Sequence, residues 1–249
     1  MMKSRSYTFL WTLLVLFPLA LPSSGRAEDA KPAAKISVEA ADHDFGKVFS
    51  GEKVVHVFKF RNSGNAPLLI ERVRQSCGCT ATVLSSTSLE TGATGEIQST
   101  FNSTGFSGEV VKTIYLYSNA ADSPVVQLYL RGTVRQEIVR QPNRVSLDRL
   151  IPEKTVSATV KLVHQGVNEI SFGAVQVTTP ELKAKLSSSR INPGESVTVT
   201  LAVTPQPGKR RLGGFVIIPL NGAHLKEIRI PVYAGIVPSA PSQAPVSQP

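Results

Sequence analysis

The sequence predicts an all-β protein built from two tandem β-sandwiches, and three observations predict it. Short apolar runs alternate with polar residues at a period of two. Gly, Pro, Asn and Ser break these runs at frequent intervals, and the order of the runs repeats once along the chain. Successive side chains of a strand point to opposite faces, so this alternation is the signature of half-buried strands. No stretch keeps a helical apolar period long enough for a capped helix.

The N-terminus is set apart from this pattern. A basic segment, MMKSR, is followed by a 15-residue apolar run, YTFLWTLLVLFPLAL, and then by PSSGRA, with Gly25 and Ala27 at the small-residue positions of a cleavage site. That order defines a secretory signal peptide over residues 1–27. The run is shorter than the roughly 20 residues that span a bilayer, so no transmembrane segment is expected once the signal is cleaved. The expected location is the periplasm or the extracellular medium. Cleavage removes Lys3, Arg5 and Arg26 from the 27 basic residues; the 24 that remain against 18 acidic ones lower the net charge from +9 to +6. The basic residues are scattered along the sequence without aromatic interleaving, which argues against nucleic acid as a partner. The cluster GKRR (208–211) reads as a solvated loop, with contact to an anionic surface polymer or phospholipid headgroup as the sharper alternative.

In chain order, KVVHVFKF, KTIYLYS, VVQLYLRGTV, SVTVTLAV and KEIRIPVYAGIV each read as a strand with one buried face. Asn221–Gly222 is a hairpin signal, because both residues tolerate positive φ. Laid on itself, the chain shows two copies offset by roughly a hundred residues. GEKVVHVFKFRNSGNAPLLIERV (51–73) matches PEKTVSATVKLVHQGVNEISFGAV (152–175), TGEIQSTF (94–101) matches PGESVTVTL (193–201), and LYLRGTV (128–134) matches PVYAGIV (231–237). About seven strands in about 100 residues is the size of an immunoglobulin-like sandwich. The expected domains are therefore 36–136 and 137–237, joined by a short connection, with a disordered Pro/Ser/Gln tail over 238–249. Phe45, Val48, Phe58, Phe60, Leu69, Ile114, Leu116, Leu128 and Leu130 are the expected first core.

The stretch DFGKVFSGEKVVHVFKFRNSGNAPLLIERVRQSCGCT resembles the opening of a bacterial family of exported domains of unknown function. Its marks are Phe-Gly-x-Val, an Asn-x-Gly turn and Cys-Gly-Cys-Thr. The resemblance covers roughly residues 40–135 and implies a Hydin-type immunoglobulin-like module related to the major sperm protein and pilus-chaperone folds. It implies no activity. Where the family usually has Pro-Gly before the late strands, this chain reads LETGATGE (89–96), so a longer loop is expected there.

Cys77 and Cys79 are the only cysteines. Two positions apart, they cannot clamp opposite sheets, and a disulfide between them would close too small a loop to constrain the unfolded chain much. Gly78 is expected to bend the backbone so that the sulfurs can meet, with Thr80 completing the turn. Three readings of the pair stand side by side: a disulfide that shapes a loop, a thiol redox couple, and a two-thiolate site for Cu(I), which would be the one cofactor. No other constellation carries chemistry. His56 shares a strand face with Phe58 and Phe60 and reads as a core histidine, while His43, His164 and His224 show no ligand spacing. The DHD at 42–44 reads as a turn opening a strand rather than a carboxylate dyad, and no catalytic serine elbow occurs. The sequence thus points to a non-catalytic exported binding or scaffolding protein, with another exported or envelope protein as partner. The alternative is periplasmic thiol redox or Cu(I) handling at Cys77 and Cys79.

Overall fold

The computed structural model describes residues 31–237; the expected signal peptide and C-terminal tail lie outside the described residues. Residues 32–237 belong to one compact unit, all β and without helix among the described residues. Its first nine strands are β1 (Ile36–Val38), β2 (Asp42–Phe49), β3 (Lys53–Asn62), β4 (Leu68–Gln75), β5 (Thr80–Leu84), β6 (Ser88–Leu89), β7 (Thr94–Asn102), β8 (Gly108–Ser118) and β9 (Val125–Arg135). They form two facing sheets, ordered β1-β3-β7-β5 and β2-β9-β8-β4-β6.

Only Gln136 and Glu137 separate β9 from the second set. That set comprises β10 (Ile138–Gln141), β11 (Val145–Leu150), β12 (Val156–His164), β13 (Ile170–Phe172), β14 (Gln176–Val177), β15 (Leu182–Leu186), β16 (Arg190–Ile191), β17 (Ser196–Val203), β18 (Arg211–Asn221) and β19 (Glu227–Ile236). Its sheets repeat the first order: β10-β12-β17-β15, and β11-β19-β18-β13-β16 with β14 also on β18. To the expected antiparallel pairing each sandwich adds one parallel edge, β2 on β9 and β11 on β19.

The strand registers fix the relation between the copies. Asn62 and His164 hold the same ladder position, as do Phe101 and Val203, Leu130 and Val232, and Val134 and Ile236. Each pair is 102 positions apart, so no insertion separates the copies along the strands. Two expected matches are thereby corrected: TGEIQSTF opens opposite Ser196 rather than Pro193, three residues on, and LYLRGTV opens opposite Ile230 rather than Pro231, one residue back. A one-residue slip would turn every side chain of β19 to the other face. The turn inside LETGATGE is no longer than its Pro-Gly counterpart: Gly92 and Gly194 both have φ near +80°, and each turn closes with a 3.0 Å bond, Ala93 N–H to Glu90 O and Glu195 N–H to Asn192 O.

Alternation builds both cores. Phe58, Phe60, Leu68, Ile70, Ile97, Phe101, Ile114, Leu116, Leu128 and Leu130 are buried in the first, with Phe45 and Val48 half-buried against them. Leu69 is the correction: it is 48% exposed, because the inward positions of β4 belong to Leu68 and Ile70. Gly95 on β7 makes room for the Phe60 ring, since a Cβ there would lie 2.5 Å from it. The second copy divides the same space differently, with Leu162 and Val197 at the two positions. Residues 42–44 are part of β2 rather than a turn; Asp42 pairs with Arg131 at 2.5 Å, and Asp44 accepts the Gly46 N–H at a bulge. β18 and β19 pair around Asn221–Gly222 as expected, with Gly222 at φ +87°, but the loop extends to Lys226.

Candidate functional site

The cysteines sit where the chain crosses from one sheet to the other. β4 ends at Gln75, the backbone turns through residues 76–79, and β5 begins as the edge strand of the facing sheet. Cys77 and Cys79 are half-buried and joined as a disulfide, with Cα atoms 5.3 Å apart. The turn is closed by Thr80 N–H to Cys77 O at 3.5 Å and Asn102 N–H to Cys79 O at 2.9 Å. Thr80 is buried, its hydroxyl 3.8 and 3.9 Å from the two sulfurs. Gly78 differs from expectation. Its φ is not in the left-handed region and a Cβ on it would meet nothing within 4 Å, so the bend does not depend on glycine. In the disulfide state the sulfurs offer no thiolate, so metal binding would first require reduction.

The second copy shows what this corner needs. Thr179, Pro180, Glu181 and Leu182 stand 102 positions beyond Cys77, Gly78, Cys79 and Thr80, and the same backbone bonds recur: Leu182 N–H to Thr179 O at 3.1 Å and Thr204 N–H to Glu181 O at 2.9 Å. Pro180, with its fixed negative φ, confirms that ordinary backbone angles suffice at this point. In place of the disulfide, the Thr179 hydroxyl donates to the buried Glu181 carboxylate, which also takes the Lys209 ammonium. Lys209, Thr179 and the backbone N–H of Glu181 together hold that carboxyl at about 2, against an ordinary 4.5, although burial alone would raise it. Two i,i+2 ties, one a covalent bond and one a hydrogen bond to a carboxylate that Lys209 also pairs, thus hold one turn. Lys209 of the GKRR loop is accordingly an ion-pair partner rather than a solvated cation.

The histidines are dispersed. His56 is half-buried, stacked on His43 at 3.6 Å and edge-on to Phe58; burial, and then the neighbouring His43, hold its pKa below the usual imidazole value. His164 is buried and occupies the place of Asn62. Asn62 accepts the Gly64 N–H and donates to Ala66 O, and the His164 ring accepts from Gly166 N–H and donates to Asn168 O. An imidazole here does the work of an amide. His224 joins the sandwiches: its ring stacks on Phe49, and its backbone N–H and Nδ1 meet the buried Glu137 carboxylate at 2.9 and 3.0 Å. Among the described residues no three His, Cys, Asp or Glu side chains converge as a metal site.

The feature that the linear sequence concealed lies on the outer face of the β2-β9-β8-β4 sheet. Ladder pairing sets Arg72 beside Tyr117, Arg74 beside Tyr115, and Thr113 beside Tyr129, which neighbours Arg131 on the same face. Val73, Leu116, Leu128 and Leu130 point inward from the same strands, so these arginines and tyrosines point out. The Arg72 guanidinium lies 4.1 Å over Tyr117 and that of Arg131 4.7 Å over Tyr129. Arg131 has its carboxylate in Asp42, whereas none of the described ion pairs engages Arg72 or Arg74. The scattered basic residues are thus interleaved with aromatics only by folding. The local signal was RVR at 72–74 and YLY at 115–117, alternating about an inward residue. At the equivalent positions the second copy has Ala174, Gln176, Ile217, Pro219, Pro231 and Tyr233, and the face is gone.

Tandem immunoglobulin-like sandwiches, one of which carries a cystine corner and an arginine–tyrosine face, define the class of this protein. A family model described as "Protein of unknown function (DUF1573)" matches residues 36–134, the first sandwich. No curated protein matches the chain. Among solved structures it is similar to a protein of unknown function from Porphyromonas gingivalis W83, with 16% identity, 80% of this chain and 99% of that one covered, and a TM-score of 0.35. It is also similar to the ASH/PapD-like domain 7 of human CEP192 (12% identity; 52% and 99% covered; TM-score 0.35) and to the Caenorhabditis elegans MSP-domain-like protein SSP-19 (18%; 39% and 98%; 0.31). These likenesses concern the fold alone.

Proposed function

We propose that this chain is an exported, non-catalytic binding protein whose first sandwich docks another envelope or exported protein on its arginine–tyrosine face. The observation that carries the reading is the confinement of Arg72, Arg74, Arg131, Tyr115, Tyr117 and Tyr129 to one face of one copy. Tyr and Arg dominate the energetic centres of protein interfaces, because they combine large rigid area with fixed hydrogen-bonding geometry. A guanidinium held over a ring can still donate its N–H groups to a carboxylate. The partner is therefore one that presents Asp, Glu or a C-terminal carboxylate over an apolar surround.

The test is photo-crosslinking in cells, with a photoreactive residue at Gln127 in the centre of the face and, for comparison, at Arg229, its counterpart in the second copy. A discrete adduct at position 127 that is lost with Arg72→Glu and Arg74→Glu supports the reading. Identical adducts at both positions, or an adduct indifferent to the charge reversals, sinks it. The second reading, redox or Cu(I) chemistry at Cys77 and Cys79, draws on the partial exposure of the cystine. Counting free thiols in protein isolated without reductant, followed by Cu(I) titration of the reduced form, decides it. A disulfide that mild dithiols leave intact ends the redox version, and reduced protein that ignores Cu(I) ends the other.

A further inference from the structure

The two copies treat one edge strand in opposite ways. β5 and β15 each close their sheet on one side. On β15 both outward side chains are lysines, Lys183 and Lys185, which is how sheet proteins keep a free edge from pairing with another chain. The same positions of β5 hold Ala81 and Val83, the latter 67% exposed. Behind them the outer face continues apolar. Val83 and Val57 flank Gln98, and Ala81 and Val55 flank Thr100, where the second copy has Thr159 and Ser157 in place of the valines. From Gln75 to Leu89 the chain contains no charged residue at all.

We infer that β5 is the pairing edge of a homodimer, with a second copy of this chain as its occupant. An edge meant for a different partner can carry charges that complement that partner. An edge that meets itself across a two-fold axis cannot, because each charge off the axis needs an opposite one on the same strand. A fifteen-residue neutral stretch in an otherwise cationic chain meets that condition. The strand is also self-complementary in size. Cys79 O accepts from Asn102, and Ser85 donates to Glu96 O, so odd-numbered residues turn their polar groups toward β7. Thr82 and Leu84 therefore turn theirs outward. Antiparallel pairing centred on Thr82 sets Thr82 against Thr82 of the second copy, Thr80 against Leu84, and the large Val83 against the small Ala81. The two sheets join into one of eight strands, with continuous rows of Val57, Gln98 and Val83 running into Ala81, Thr100 and Val55 of the second copy. Five residues of edge make a small interface, so the association is weak and concentration-dependent.

The test uses the mature chain in sedimentation velocity across a thousandfold concentration range, with amide hydrogen exchange at both ends of it. The expected result is a monomer–dimer equilibrium in which exchange at Thr82 and Leu84 slows as dimer forms. Ala81→Lys and Val83→Lys, which copy the second sandwich, should each weaken dimerisation at least tenfold with an unchanged melting temperature. A chain that remains monomeric throughout overturns the inference, as does a dimer that withstands both lysines or leaves Thr82 and Leu84 unprotected. These outcomes do not touch the arginine–tyrosine face, which lies on the other sheet, so failure here and failure of the proposed function are separate results.

Discussion

The first sandwich and the second have the same strand order and an unbroken offset of 102 residues, yet almost every outward feature differs between them. One has a cystine corner, an arginine–tyrosine face and a neutral edge. The other has an ionic corner, a mixed face that lacks the paired arginines and tyrosines, and an edge closed by lysines. The difference separates what the fold demands from what one copy has acquired. Features present in both copies under different chemistry, such as the tied corner and the Asn62 or His164 turn, belong to the architecture. Features present in one copy only are where binding should be sought.

The largest effect expected from breaking this comparison is in the core. Phe60→Ala should cost about 3–5 kcal/mol in denaturant titration, because the ring is fully buried against Gly95; a cost below about 1 kcal/mol would mean that the strand does not pack as described. Next comes the exchange of volumes between copies. Gly95→Val alone drives a branched side chain into the Phe60 ring and should destabilise by about 1–3 kcal/mol or more. Combined with Phe60→Leu, which restores the pair found at Leu162 and Val197, it should recover most of that loss. An additive double-mutant cycle would show that the two copies do not divide this space in the same way.

These pairs also show how much the sequence alone conveyed. Alternation was enough for the all-β class, the repeat and most core positions, since it is local and only two residues long in period. It failed at Leu69, where two adjacent leucines leave the inward position undecided, and at the last two repeat matches, where slips of three residues and of one looked equally good. The arginine–tyrosine face was beyond it. That face exists only because β4 pairs with β8 some forty residues away, and such registers are set by the tertiary core. The equivalence of Cys79 with Glu181 was hidden for a different reason, namely that the two residues share no chemistry until the turn around them is known.

The corners should separate by pH and by size of effect. Glu181 has a folded pKa near 2, below its ordinary 4.5, so its ion pair contributes fully above about pH 4.5 and is lost as the pH falls toward 2. Unfolding followed between pH 7 and pH 2.5 should show the wild-type chain losing stability across that window and Glu181→Gln, already weaker at pH 7, losing less. The cystine corner has no such titration. Cys77→Ser with Cys79→Ser should cost about 1–2 kcal/mol at every pH, the scale expected for a three-residue loop. A loss several times larger would make the bond indispensable to the fold. The smallest effect is at Gly78: Gly78→Ala should be neutral or stabilising, by up to about 1 kcal/mol, because the position has ordinary angles and open space.

The uninterrupted spacing of the copies has a consequence during synthesis. Two chain segments with the same strand order and the same spacing of strands can exchange strands while both are still incomplete, a recognised hazard of tandem domains. The cores are graded against it. Where the first has Phe58, Phe60 and Phe101, the second has Val160, Leu162 and Val203, whereas the place of Ile70 in the first is taken by the larger Phe172 in the second. A strand lodged in the wrong copy would leave phenyl-sized voids on one side and crowding on the other, and close-packed interiors tolerate neither. Side-chain volume thus serves as an address, sorting each strand to its own sandwich.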